Sequence, residues 1–182
     1  MGLTMDNDRF WHLIEQARRL AVDPTDAEDV AGHATTLLAD HPPAEILQAE
    51  QVLWDLMAAS YLAPLWAAAY QINGGCSDDG FDYFRGWLIA QGRATFEQVI
   101  NDPDSLADLP VVQLAAAEGW DLDGEAILPI VWNAYQVATG SESPADNFTI
   151  HYPVLAPEWD FDFGDHERLA RHLPRIAALY PA

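Results

Sequence analysis

The sequence predicts a mainly α, compact multi-helix single domain over residues 1–182, with one or two short β or extended segments near the C-terminus. Three observations carry this reading. Through the first two thirds of the chain, apolar residues recur at helical spacing between Asp-Pro, Pro-Pro and Gly-Gly turn signals. Half of the 182 residues are apolar and seven are Trp, ample for a core at a length where a domain buries roughly 70% of its unfolded surface. In the C-terminal third the apolar period shortens to two, the signature of extended chain.

A first helix is expected over Asp6 to Leu20, with Phe10, Leu13, Ile14, Ala17 and Ala21 at helical spacing and Trp11 beside them. Asp6 and Asp8 suit its positive end, Arg18 and Arg19 its negative end. After the turn Asp23-Pro24-Thr25, the run Thr25-Asp26-Ala27-Glu28 has capping-box spacing and opens a second helix through Val30, Leu37 and Leu38. Asp40-His41-Pro42-Pro43 stops it. Pro43 fits the first turn of a third helix, which carries Ile46, Leu47, Val52, Leu53, Leu56 and Met57 towards Tyr61. Pro64 either kinks that helix or starts another over Leu65 to Ile72.

Asn73-Gly74-Gly75 is the strongest turn signal in the chain. Ser77 then caps a helix with Asp78 and Asp79 in its first turn, ending at Gly92. Phe81, Phe84 and Leu88 line one side of it, and Tyr83, Trp87 and Ala90 another. With apolar residues around most of its circumference, it is expected to be the central helix. Short helices follow over Arg93 to Ile100 and Val111 to Glu118, separated by a turn-rich stretch. Another runs from Gly124 to Ala138, started or interrupted by Pro129. Phe148, Ile150 and Tyr152, and then Trp159, Phe161 and Phe163, alternate with polar residues, so one or two strands or extended wraps are expected there. Asp165 caps a last helix with Leu169, Leu173 and Ile176 inward, despite Pro174. Pro64 to Ile72 echoes Pro129 to Val137 at Pro, Ala, Tyr and Gln, one match only and too little for a repeat fold.

Composition excludes several chemistries. All eight basic residues are Arg, so a Walker phosphate loop and a Schiff-base lysine are ruled out. The one cysteine, Cys76, can form neither an intrachain disulfide nor a Cys-based zinc site. The six histidines show no metal-ligand spacing, and no metal is expected. No segment has signal-peptide character or reaches the roughly 20 apolar residues of a membrane span, so a cytoplasmic protein is expected. Against 29 acidic residues the net charge is −21, which opposes nucleic acid and anionic membranes. The carboxylates fall 11, 8 and 10 by sixty-residue blocks, too dispersed to imitate a phosphate backbone. Solubility with a compositional bias towards Ala, Asp and Arg explains the charge most simply; a surface for a basic partner is the functional alternative.

One constellation stands out. At 100° per residue Asp78, Asp82 and Arg85 fall on a single stripe, with Gly86 opening a gap beside it. Two carboxylates and a guanidinium on so apolar a helix can hold a cation, a sugar or an amide-bearing ligand, and the Gly pair lets backbone approach it. The candidate ligand-binding residues are Tyr70, Asn73, Cys76, Asp78, Asp79, Asp82 and Arg85; no catalytic residue or cofactor is assigned. The simpler account is a capped helix with an Asp82–Arg85 pair on its solvated side. Cys76 precedes a helix N-terminus, which favours thiolate, but Asp78 and Asp79 oppose it. Trp159-Asp-Phe-Asp-Phe163 has the composition of an adhesive segment for a partner, and Arg168, Arg171 and Arg175 form the one basic stripe, suited to pairing with the molecule's own acids or a second copy.

The opening Met5-Asp-Asn-Asp-Arg-Phe10-Trp11-His-Leu-Ile14-Glu15, with Ala68-Ala-Tyr70-Gln-Ile-Asn73-Gly-Gly75 and Asp78-Asp-Gly80-Phe81-Asp-Tyr83-Phe84-Arg85-Gly-Trp87-Leu-Ile-Ala-Gln-Gly92, resembles the uncharacterised bacterial domain-of-unknown-function family 4240, common in actinobacteria. The resemblance covers roughly residues 5 to 115 and points to Met5 as an alternative start. It implies no activity, cofactor or catalytic residue. Two functions therefore stand. The first is a non-enzymatic interaction or inhibitor-type protein acting on a basic partner. The second is a small enzyme or a ligand- or cation-binding domain built on the stripe after the Gly-Gly turn, taking a small molecule.

Overall fold

A computed structural model describes residues 4–181. Among them the chain forms ten α-helices and three short 3₁₀ segments, with no strand. The helices are α1 (Asn7–Leu20), α2 (Ala27–Ala39), α3 (Pro43–Ala59), α4 (Ala63–Ile72), α5 (Asp78–Ala90), α6 (Arg93–Asn101), α7 (Pro110–Glu118), α8 (Ile130–Thr139), α9 (His166–His172) and α10 (Pro174–Leu179).

The N-terminal caps are local chemistry. Asp6 accepts from the Arg9 amide and Ser77 from the Gly80 amide, each satisfying a donor that the helix itself leaves unpaired. At α2 the cap is Asp26, accepting from the Glu28 amide at 2.9 Å, and not Thr25. Thr25 instead turns back, its amide and hydroxyl both bonding the Asp23 carboxylate. Pro64 starts α4 rather than kinking α3: the two helices meet at 85°. The stretch around Asn101 to Pro110 contains a 3₁₀ turn over Pro103–Asp108, and Pro129 separates a 3₁₀ turn over Glu125–Ile127 from α8.

α5 is the centre. Every residue from Phe84 to Ala90 is buried, so the helix is covered on all sides, and it packs against α2, α3, α4 and α6. Around it α2 lies against α1 and α8, and α8 also against α3. Gly92 takes φ 89° where α5 ends, and Arg18 from α1 donates to the free Ala90 carbonyl at 2.8 Å. One apolar core runs from Phe10 and Trp11 through Leu53, Phe81, Phe84 and Ile89 to Ile130 and Ile176. Among the described residues no single helix is long and apolar enough to cross a membrane.

The expected strands do not form. A strand needs a neighbouring backbone, and the period-two segment finds side chains instead. Gln51 of α3 accepts from the Thr149 amide and donates to the Thr149 carbonyl, and Asn147 donates to the Leu47 carbonyl. Phe148 stacks on Trp54 with ring centroids 5.8 Å apart, and Tyr152 packs edge-on against Tyr61. The extended wrap is thus tied across α3. The last helix is two, because Pro174 breaks it between α9 and α10.

Candidate functional site

The Gly-Gly turn closes α4 and aims the chain into α5. Gly74 and Gly75 take φ of 64° and 131°, conformations that L side chains rarely adopt, and the Gly75 amide donates to the Tyr70 carbonyl. Open space surrounds both, so their lack of side chains serves the turn and not close packing. Asn73 is a tether: its amide nitrogen donates to the Leu122 carbonyl at 3.1 Å and its oxygen accepts from the Leu122 amide at 2.9 Å. The gap expected beside Gly86 is filled. The Gly124 carbonyl oxygen sits 2.5 Å from where a Gly86 side chain would begin, and the Gly124 amide donates to the Tyr83 carbonyl.

Arg85 is not on a solvated side. It is 1% exposed, the largest fully buried side chain in the molecule. Its guanidinium donates to the Met57 and Phe81 carbonyls and to Asp82, and lies over the rings of Phe81 and Tyr61 at 4.6 and 5.1 Å. Burial pushes the Asp82 carboxyl above its ordinary range despite Arg85, and burial lowers Arg85 despite Asp82. Asp78 and Asp79 remain exposed on the first turn. Burial also pushes the Cys76 thiol up to about 11, which keeps it protonated and poorly nucleophilic at neutral pH.

The seven candidates do not converge. Tyr70 stands on a ridge between two grooves. On one side Tyr70 and Asn73 line a cleft of about 670 Å³ with Trp120, His166 and Tyr180. On the other, Tyr70 and Cys76 line a groove of about 600 Å³ with Trp66 and the segment Leu155 to Phe163. Asp78, Asp79, Asp82 and Arg85 line neither. Among the described residues no group of three or more His, Cys, Asp or Glu is arranged to hold a metal.

Two further features are absent from the residues singled out above. Asp26 and Asp123 join two depressions of about 490 and 220 Å³, which also carry Glu28, Glu125, Asp23 and Asp121. Trp120 stands beside them, 48% exposed. Neither depression is lined by an Arg or His among the described residues. These acids are over ninety residues apart in sequence and meet because Gly124 docks on α5, so no local spacing announces them. The basic stripe, by contrast, pairs at home: Arg175 with Asp102, Asp104 and Asp108, and Arg171 with Glu167.

A family model described as protein of unknown function (DUF4240) matches residues 5–137, that is α1 through most of α8. The chain belongs to that family. No curated protein and no solved structure matches it.

Proposed function

We propose that this family member is a non-enzymatic interaction protein, of the adaptor or inhibitor kind, that binds a basic partner through its acidic surface. The supporting observation is how the few cations are used. Arg9, Arg18, Arg93, Arg171 and Arg175 are in intramolecular ion pairs, Arg85 is buried with Asp82, and Arg168 lies on the Phe161 ring. Six of the eight arginines are thus paired with carboxylates, which leaves Arg19 and Arg168 to set against the remaining acids. Part of the surplus lies where Glu28, Asp121 and Asp123 line the joined depressions beside Trp120, and an exposed Trp is a common anchor for a partner. A cytoplasmic setting goes with this reading and agrees with the unpaired Cys76. The alternative, a small enzyme or cation site on the stripe after Asn73-Gly74-Gly75, has less support, since Arg85 is occupied by protein groups and Gly124 fills the space beside Gly86.

The test is a titration of the full chain with an oligo-lysine peptide at several salt concentrations. Affinity should fall by about tenfold or more between 50 and 200 mM salt, where screening shortens to about 8 Å. The triple variant Glu28→Gln, Asp121→Asn, Asp123→Asn should bind more weakly with a shallower salt dependence. Salt-insensitive binding, or a triple variant as good as the parent, would overturn the proposal.

A further inference from the structure

The groove between α4 and the C-terminal segment differs from the acidic depressions in kind. Its walls are rings: Trp66 and Tyr70 from α4 face Trp159, Phe161 and Phe163. Those rings form a continuous surface, with Tyr70 edge-on to Phe163 at 6.1 Å, Phe163 edge-on to Phe161 at 5.7 Å, and Phe161 stacked on Trp159 at 5.9 Å. Asp160 and Asp162 lie between them; Arg168 lies over Phe161 and His172 packs on Trp159 and Phe161 at 4.8 and 5.4 Å, while the groove lining itself holds no Arg or His among the described residues. One Asp162 oxygen accepts from the Gly164 amide; the Asp160 carboxylate has no partner among the described residues. Aromatic faces are electron-rich and attract cations, and carboxylates between them neutralise the charge that is brought in.

The chain itself indicates which cation. Twice it lays a guanidinium on an aromatic face: Arg85 over Phe81 and Tyr61, and Arg168 over Phe161 at 4.5 Å. A guanidinium is planar, sheds water more readily than an ammonium and meets a carboxylate with two parallel donors, so it fits flat walls spaced by acids better than lysine does. A volume of about 600 Å³ exceeds the needs of a single side chain and leaves room for the flanking backbone of a peptide.

We infer that this groove is the seat for an arginine side chain of the basic partner, laid on the groove-facing rings of Trp66, Tyr70 and Trp159 and paired with Asp160 and Asp162, while Phe161 is already covered by Arg168. The inference rests on the interaction-protein reading and adds to it a residue preference that diffuse charge does not supply. Most of the wall, Trp159 to Phe163, lies beyond the stretch matched by the family, residues 5–137.

The experiment compares oligo-arginine and oligo-lysine peptides of equal length on the full chain at fixed salt, read by Trp fluorescence and calorimetry. The arginine peptide should bind about tenfold tighter, within the range of one partly desolvated cation–aromatic contact. The double variant Asp160→Asn, Asp162→Asn, and separately Trp159→Ala, should erase that preference while oligo-lysine affinity drops no more than its lost charge predicts. Equal affinities for the two peptides, or a preference that survives both variants, would sink the arginine seat and leave the acidic reading standing. Failure of both peptides to bind would remove both.

Discussion

Arg85 and Asp82 show what a buried pair is for. Both are shifted against their charged forms by burial, each only partly compensated by the other, which is the pattern of an ion pair whose desolvation outweighs its attraction. Its value is positional: the guanidinium ties α5 to the Met57 carbonyl at the end of α3 and fills the space between Phe81 and Tyr61. Breaking the pair from one side therefore costs more than replacing its buried half with apolar bulk. Asp82→Ala leaves an uncompensated buried cation and should lose about 3 kcal/mol, the low end for such a change because Asp82 is 24% exposed. Arg85→Met keeps the volume, removes the buried charge and leaves Asp82 to water, so it should lose clearly less. Urea denaturation of the two variants decides it, and a larger loss in Arg85→Met would contradict this account. Glu50 offers a simpler case. Burial raises its carboxyl above the usual range while the Trp54 indole N–H pulls it down, so Glu50→Gln should raise the melting temperature at pH 7, and the gain should vanish as the pH falls to where Glu50 is protonated in the parent.

At the scale of elements, α10 depends on a distant cap. Its six residues are too few to hold a helix unaided, and its own N-cap, Leu173, offers no side-chain bond. Asp104 supplies it from the 3₁₀ turn, accepting from the Ile176 amide at 2.9 Å and from the Arg175 amide and Nε at 3.1 and 3.2 Å. Asp104→Ala should lose about 2 kcal/mol, with hydrogen exchange of the α10 amides accelerated more than that of α5; uniform acceleration would mean the cap is not local. The same contrast explains what the sequence discloses. Ser77 is legible as a cap because a cap needs only a side chain and an amide three residues on, and Asp6, read as negative charge at a helix start, turns out to cap in the same way. The central position of α5 is legible because apolar residues surround it. The Asp104 cap, the filling of Gly86 by Gly124 and the burial of Arg85 are not, since each joins residues 28 or more apart. Phe148, Ile150 and Tyr152 mislead for a related reason: alternation marks extended chain but not its partner, and here Gln51 takes the place of a strand. At the site, the spacing of Asp78, Asp82 and Arg85 is visible in the sequence, whereas Tyr70 and Cys76 acquire their groove only when residues 155 to 163 fold across α4.

For the whole molecule the controlling quantity is the net charge of −21. Like charges on one compact body repel, so the folded state binds protons more readily than the unfolded chain wherever carboxylates crowd. Glu50 and Asp82, raised by burial, act in the same direction: their cost is present above their folded pKa values and is relieved as pH falls through them. Other groups act oppositely. Asp23 is held below its ordinary value by the Thr25 hydroxyl and amide, and Glu45 by His41 and then Arg9. Their stabilisation is full above the ordinary carboxylate range, about 4, and is lost as pH falls through their lowered values. Stability should therefore climb from pH 8 to about 5 and collapse below about 4. Salt separates the contributions: about 0.5 M shortens screening to a few ångström, so it should raise the melting temperature at pH 8 more than at pH 5, leaving the desolvation of Glu50 and Asp82 unscreened. Melting curves in dilute protein across that range, with and without salt, carry the test. A melting temperature that falls steadily from pH 8 to 5, or an equal salt effect at both ends, would mean that the acidic surface is neutralised within the fold.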